Sequence, residues 1–188
     1  MSRLILVTGG ARSGKSTFAE RLLQKLAPQG GTYVATAEAH DEEMRERIRL
    51  HQAQREASGY GWQTANCPLQ LPVWLKEADG GAMLIDCLTL WLSNELLQAE
   101  QESGEGPELE QRLDARIDEL LDVLAEVQGT VVMVTNEVGS GIVPAYKLGR
   151  IFRDAAGRLN QRLAARADEV YLVTAGIPIE LKSRMVQL

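Results

Sequence analysis

Gly9-Gly10-Ala11-Arg12-Ser13-Gly14-Lys15-Ser16-Thr17 is the stretch that decides the fold. A glycine, four residues and then Gly-Lys-Ser is the spacing of a phosphate-binding P-loop. The spacing alone is a weak signal, and its flanks make it strong. Upstream, Leu4-Ile5-Leu6-Val7 is a continuous apolar run, suited to a strand buried on both faces of a parallel sheet. Downstream, Phe18, Leu22, Leu23 and Leu26 recur at helical spacing and predict a helix from Lys15 to Leu26. Strand, glycine loop and helix in that order turn successive backbone N–H groups, and the positive end of a helix, toward one phosphate chain. Lys15 is then expected to reach the β- and γ-phosphates, and the Ser16 hydroxyl to ligate magnesium.

Four more apolar runs follow: Thr32–Ala35, Ala82–Ile85, Thr130–Val134 and Val170–Val173. Helical patterns separate most of them, so the expected fold is α/β, a mostly parallel sheet flanked by helices. A helix is expected from Asp41 to about Ala57, with Asp41, Glu42 and Glu43 near its positive end. Gln101 to Pro107 reads as the clearest loop. Beyond it Leu109, Leu113, Ile117, Leu120, Leu124 and Val127 mark one face of an amphipathic helix. No repeat or linker interrupts the chain, so residues 1–188 are expected to form a single nucleotide-binding domain.

Composition narrows the function. The chain has 188 residues, 45% hydrophobic and 24% charged, ordinary values for a globular protein. Cys67 and Cys87 are too few for a disulfide framework or a cysteine-based zinc site, and His40 and His51 too few for a histidine-rich metal site. No run approaches the roughly 20 apolar residues of a membrane helix, and the apolar start is too short for a signal-peptide core. These features predict a cytoplasmic protein with no membrane span and no nucleic-acid partner. The net charge of −6 is local in origin: Glu100 to Glu126 holds ten acids and two bases, leaving 16 acids and 18 bases elsewhere. The acidity therefore does not argue against a polyanionic ligand at the P-loop.

Asp86 closes the run Ala82-Met83-Leu84-Ile85, the strand-end position from which a carboxylate helps hold magnesium in phosphoryl transfer. It can also be read as the cap of a helix starting near Leu88. Met44, Ile48, His51 and Arg55 share one helix face. By spacing alone His51 reads as a core histidine; the sharper reading is a nucleophile, because a neutral imidazole can attack phosphorus. Thr135-Asn136-Glu137-Val138-Gly139-Ser140-Gly141 should lie at the carboxyl end of the sheet, where α/β ligands bind, or be a plain connection. Arg150, Arg153, Arg158 and Arg162 suit a phosphate clamp or a solvated helix face. Trp62, Trp74 and Trp91 read as core or interface residues.

Together these motifs resemble the bifunctional adenosylcobinamide kinase/adenosylcobinamide-phosphate guanylyltransferase family of cobalamin biosynthesis. The resemblance runs nearly end to end. It rests on Val7 to Ser16, Tyr33-Val34-Ala35-Thr36-Ala37, and Arg47-Ile48 leading to His51 and Arg55. It continues through Trp62 and Thr64, Leu84-Ile85-Asp86-Cys87 with Asn94, Val134 to Gly139, Gly141 to Pro144, and Phe152-Arg153-Asp154 through Asn160-Gln161. It implies a RecA-like P-loop sheet, ATP and GTP as substrates, magnesium, a corrinoid substrate and a homo-oligomer, a trimer. It also implies guanylylation at the position of His51 and nucleotide contacts from Thr36, Ala37 and Glu38 after the second strand. Glu56 replaces a common family proline, Ser58-Gly59-Tyr60-Gly61 lengthens that connection, and Asn66 stands where the family pattern has glutamate. A plain small-molecule kinase and a RecA-like nucleotide-switched binding module are the competing expectations.

Overall fold

The computed structural model describes residues 2–38, 42–104 and 106–186. Seven strands, β1 (Arg3–Thr8), β2 (Gly31–Ala35), β3 (Trp62–Asn66), β4 (Ala82–Asp86), β5 (Thr130–Val134), β6 (Glu169–Thr174) and β7 (Ile177–Glu180), form one sheet in the order β3-β2-β4-β5-β1-β6-β7. All pairs are parallel except the terminal β6–β7 hairpin. One strand, β5, lies between the P-loop strand β1 and the strand that ends in Asp86, as in a RecA-like P-loop sheet. The helices are α1 (Lys15–Leu26), α2 (Glu42–Ala57), α3 (Leu71–Glu77), α4 (Leu88–Ser103), α5 (Pro107–Glu126) and α6 (Lys147–Arg166).

The apolar runs are continuous because both faces of the central strands are covered. Leu4 and Leu6 enter a core with α3, α4, α5 and α6, while the alternate residues Ile5 and Val7 meet Ala19 and Leu23 of α1 on the other face. Full burial of a side chain such as Leu84 or Ile85 contributes roughly 1.5–3 kcal/mol. Trp91 is wholly buried and its indole N–H donates to the Leu69 carbonyl at 3.1 Å, so it is a core residue. The predicted face of α5 is buried from Leu109 through Leu124.

Two expectations change. The loop expected over Gln101–Pro107 is shorter, because α4 continues through Ser103 and α5 begins at Pro107. Proline is tolerated in a helix's first turn, where its missing N–H costs nothing. Strands β3 and β7 and helix α3 join the expected elements. The helix expected from Asp41 is described from Glu42; Asp41 and His40 lie outside the described residues.

Candidate active site

The parallel sheet delivers four loop segments to its carboxyl edge: the P-loop after β1, Thr36–Glu38 after β2, Asp86–Cys87 after β4 and Thr135–Gly141 after β5. The P-loop curls because its glycines allow it. A Cβ on Gly9 would lie 2.4 Å from the Val173 carbonyl oxygen and 2.7 Å from Ser13 Oγ, so only glycine fits there. Gly14 caps α1 with φ +90, a left-handed conformation that glycine adopts without strain. The Ser13 N–H donates to the Gly10 carbonyl at 3.3 Å, and the Gly176 N–H to the Ser13 carbonyl at 2.8 Å. Lys15 is buried, and its Nζ donates to the Gly10 carbonyl at 3.1 Å, folded back across the loop it is expected to serve. Ser16 is half-buried in the first turn of α1, and Ala11, Arg12 and Thr17 are exposed. The Thr8 and Ser13 hydroxyls are buried with no hydrogen-bond partner among the described residues.

Asp86 terminates β4, and the Tyr33 hydroxyl donates to its Oδ2 at 3.1 Å. Burial pushes the Tyr33 phenol well above its ordinary range, and Asp86 pushes it further. The neighbouring Cys87 thiol is pushed up to about 11 by burial and by Asp86, with Lys15 pulling it down. Lys15 and Asp86 therefore act on one electrostatic neighbourhood. Ser16 and Asp86 offer hydroxyl and carboxylate oxygens, the donors a hard cation such as magnesium takes. The Thr36 hydroxyl donates to the Cys87 carbonyl at 2.7 Å, and Asn94 Nδ2 donates to the Thr36 carbonyl at 2.9 Å, so Thr36 ties β2 to β4. Ala37 and Glu38 follow it, half-buried.

Residues 135–145 are tied to the P-loop at Glu137 and to helices α4 and α6 along the rest of their length. The Glu137 N–H donates to the Gly9 carbonyl at 3.1 Å, the Thr135 hydroxyl donates to Asn160 Oδ1 at 2.8 Å, and Thr89 Oγ1 accepts from the Asn136 N–H at 2.7 Å. Arg153 donates to the Gly139 carbonyl and Arg150 to the Pro144 and Ala145 carbonyls. Arg158 and Arg162 pair with Asp114 and Asp118 of α5. The arginines thus hold a loop and staple two helices; they do not converge as a phosphate clamp.

Helix α2 carries Met44, Ile48, His51 and Arg55 on its less exposed face, as their spacing requires. His51 is half-buried rather than enclosed in the core. Arg55 is 5% exposed, with its guanidinium carbon 3.5 Å from the Tyr33 ring centroid. Trp62 packs edge-on against Tyr33 with centroids 6.1 Å apart. A cavity of about 590 Å³ opens beside this cluster, lined among others by Gln52, Arg55, Trp62, Thr64 and Asn66. Glu20, one turn beyond Ser16 on α1, has its carboxyl raised by burial, lowered by Arg55 and raised by Asp86. Sequence reasoning missed Glu20 and Tyr33 as parts of this neighbourhood.

The fold and loop set define a P-loop nucleotide-binding fold, with a histidine-bearing helix seated through Arg55 on Tyr33. The chain belongs to the cobinamide kinase / cobinamide phosphate guanyltransferase family, whose pattern matches residues 5–181. It is 44% identical over 182 residues to the bifunctional adenosylcobalamin biosynthesis protein CobP of Pseudomonas aeruginosa, covering 94% of this chain and 96% of that protein. It is 44% identical over 185 residues to the bifunctional adenosylcobalamin biosynthesis protein CobU of Salmonella typhimurium, covering 95% and 99%. The Escherichia coli protein of the same name is 40% identical over 186 residues, with the same coverage. Among solved structures, a KaiC-like protein from the hyperthermophilic archaeon Pyrococcus horikoshii aligns with TM-score 0.43 and 16% identity, covering 90% of this chain and 70% of that one. No helix among the described residues is long and apolar enough to cross a membrane.

Proposed function

We propose that this chain phosphorylates adenosylcobinamide with ATP or GTP, and then transfers GMP from GTP to adenosylcobinamide phosphate through a guanylylated His51. The observation that carries this reading is the near end-to-end match to a kinase/guanyltransferase family in a chain that carries both a P-loop and a half-buried histidine on α2. That membership disfavours a plain kinase or a nucleotide-switched module.

In the kinase step the substrate hydroxyl oxygen attacks the γ-phosphorus and gives up its proton to solvent, the bond to the β-phosphate oxygen breaks, and the nucleoside diphosphate leaves. Phosphoryl transfer is largely positioning and charge neutralisation. The backbone of Gly9, Gly10, Ala11, Arg12, Ser13 and Gly14 supplies donors, with Thr17 close by in α1. Lys15 leaves the Gly10 carbonyl for the β- and γ-phosphates. Ser16 and Asp86 would hold magnesium, which would supply charge neutralisation to the triphosphate. Thr36, Ala37 and Glu38 line the nucleotide from the end of β2.

In the guanylyl step an imidazole nitrogen of His51 attacks the α-phosphorus of GTP, and pyrophosphate leaves with the electrons of the broken α–β bond. A phosphate oxygen of adenosylcobinamide phosphate then attacks the same phosphorus, the P–N bond breaks and adenosylcobinamide-GDP forms. One hard displacement becomes two easier ones, and the imidazole is regenerated.

The chain is further read as one domain spanning residues 1–188, on the strength of its single sheet. Free Cys67 and Cys87 support a reducing, cytoplasmic setting. Exposed apolar side chains at Ile142, Val143 and Tyr146 and on β7 at Ile177 and Ile179 are compatible with a homo-oligomer, and the trimer rests on the family resemblance alone. The test of function is a turnover assay with adenosylcobinamide, ATP and GTP. Stoichiometric pyrophosphate and adenosylcobinamide-GDP are expected; accumulation of the phosphate ester alone would reduce the chain to a kinase.

A further inference from the structure

Helix α2 is the most polar of the long helices, and it rests on the body of the protein in an unusual way. Its described side chains are exposed or half-buried with one exception, and that exception is a cation, Arg55. Arginine is almost never buried without a reason, because its charge must be taken out of water. Here the guanidinium lies 3.5 Å above the Tyr33 ring, a distance at which the ring's negative face attracts it. Tyr33 is itself buried, backed by Trp62 and tied through its hydroxyl to Asp86. The carboxylates of Glu20 and Asp86 share this neighbourhood, and the charge of Arg55 acts on Glu20 against its burial. Arg55 Nη1 is buried with no hydrogen-bond partner among the described residues. The seat therefore works through a stacked ring and opposed charge, not through a full set of hydrogen bonds. For stability alone, an apolar side chain of similar volume would serve as well or better.

Arg55 stands one helical turn after His51 on the same face, so fixing the guanidinium fixes the rotation and height of the imidazole. We propose that Arg55 is the positioning residue of the guanylyl step: seated on Tyr33 beside Asp86 and Glu20, it anchors the His51 helix to the sheet end that carries the phosphate site. This rests on the reading of His51 as the guanylylated residue. Arg55 touches no reacting atom; it acts through His51. The kinase step does not use the imidazole and does not depend on the anchor.

The test compares wild type, Arg55→Ala and Arg55→Lys in single-turnover guanylylation with GTP, in kinase turnover with ATP, and in amide hydrogen exchange. In Arg55→Ala the first-order rate of adduct formation at saturating GTP should fall about tenfold or more, as expected when a nucleophile loses its alignment. Kinase turnover should fall far less than the adduct rate, because the phosphate cradle is held by the sheet and not by helix α2. Amides of residues 42–57 should exchange faster while those of β1 and β4 do not. Arg55→Lys, which keeps the charge but loses the planar stacking group, should not restore the adduct rate. An undiminished adduct rate in Arg55→Ala, an equal fall of both reactions, or full rescue by lysine would overturn the anchor. If wild type itself forms no adduct, the His51 reading fails and this one with it, an outcome distinct from an adduct that ignores Arg55.

Discussion

The P-loop and the helix that carries His51, the two regions proposed to handle phosphorus chemistry, are built by opposite means. The P-loop is built from backbone: Gly9 fits against the Val173 carbonyl, Gly14 caps α1 in a left-handed conformation, and strand β1 beneath is buried on both faces. Its position follows from the sheet, and side chains add charge afterwards. Helix α2 is built from side chains on a polar scaffold, with one buried guanidinium as its deepest hold on the body. A site that must bind two nucleotide chemistries gains from the difference. On the proposed reading the cradle takes its shape from the buried sheet, while the histidine proposed as nucleophile sits on a helix with little buried side-chain surface among its described residues.

Substitutions should separate the two regions. The largest effect belongs to His51→Ala: guanylyl adduct falls by about 10³-fold or more, as for loss of a nucleophile, and kinase turnover falls far less. Intact adduct by protein mass measurement would break the division. Lys15→Ala should lower both reactions, each by roughly 10²- to 10³-fold, because both use the triphosphate cradle. Guanylyl transfer untouched by that change would place GTP elsewhere. Asp86→Asn should reduce kinase turnover by about 10²-fold, the scale of one electrostatic stabiliser, with partial recovery at raised magnesium in a steady-state titration. Tyr33→Phe keeps the ring beneath Arg55 and removes the hydroxyl from Asp86. A fall of about two- to tenfold in either reaction is expected, the worth of one hydrogen bond.

The smallest effect lies away from the site. Hydrogen bonds from the side chain and N–H of Ser183, and from the N–H groups of Val170 and Lys182, hold the Glu180 carboxyl down to about 2. A folded-state value below the ordinary 4.5 adds stability above that pH, lost as pH falls toward 2. Glu180→Gln should flatten that part of the acid-unfolding profile followed by circular dichroism, with no change in either reaction at neutral pH.

Burial decided what could be read from sequence. Strands β1, β2, β4, β5 and β6 are legible as apolar runs, and β1, β4 and β5 most plainly, because helices cover both their faces. Strand β3, Trp62-Gln63-Thr64-Ala65-Asn66, is an edge with only Trp62 and Ala65 half-buried, so it reads as polar loop. Strand β7 holds Pro178, which is tolerated on an edge strand and argues against a strand in any sequence. Helix α3 has seven residues, too few to show a period. At the site, the P-loop was legible because its chemistry is contiguous. The cluster of Glu20, Tyr33, Arg55 and Asp86 was not, because it draws one residue each from α1, β2, α2 and β4. One signal was available: an arginine on the same face as Met44 and Ile48, where a solvated residue was not expected.

The central claim is that one chain uses a backbone cradle for triphosphate and a separate histidine for guanylyl transfer. Its most direct measurement is to incubate the protein with GTP labelled at the α-phosphate and map the label by peptide mass spectrometry. The account predicts an acid-labile GMP on His51, absent from His51→Ala and discharged by adenosylcobinamide phosphate. Label on any other residue, or label that persists in His51→Ala, would contradict it.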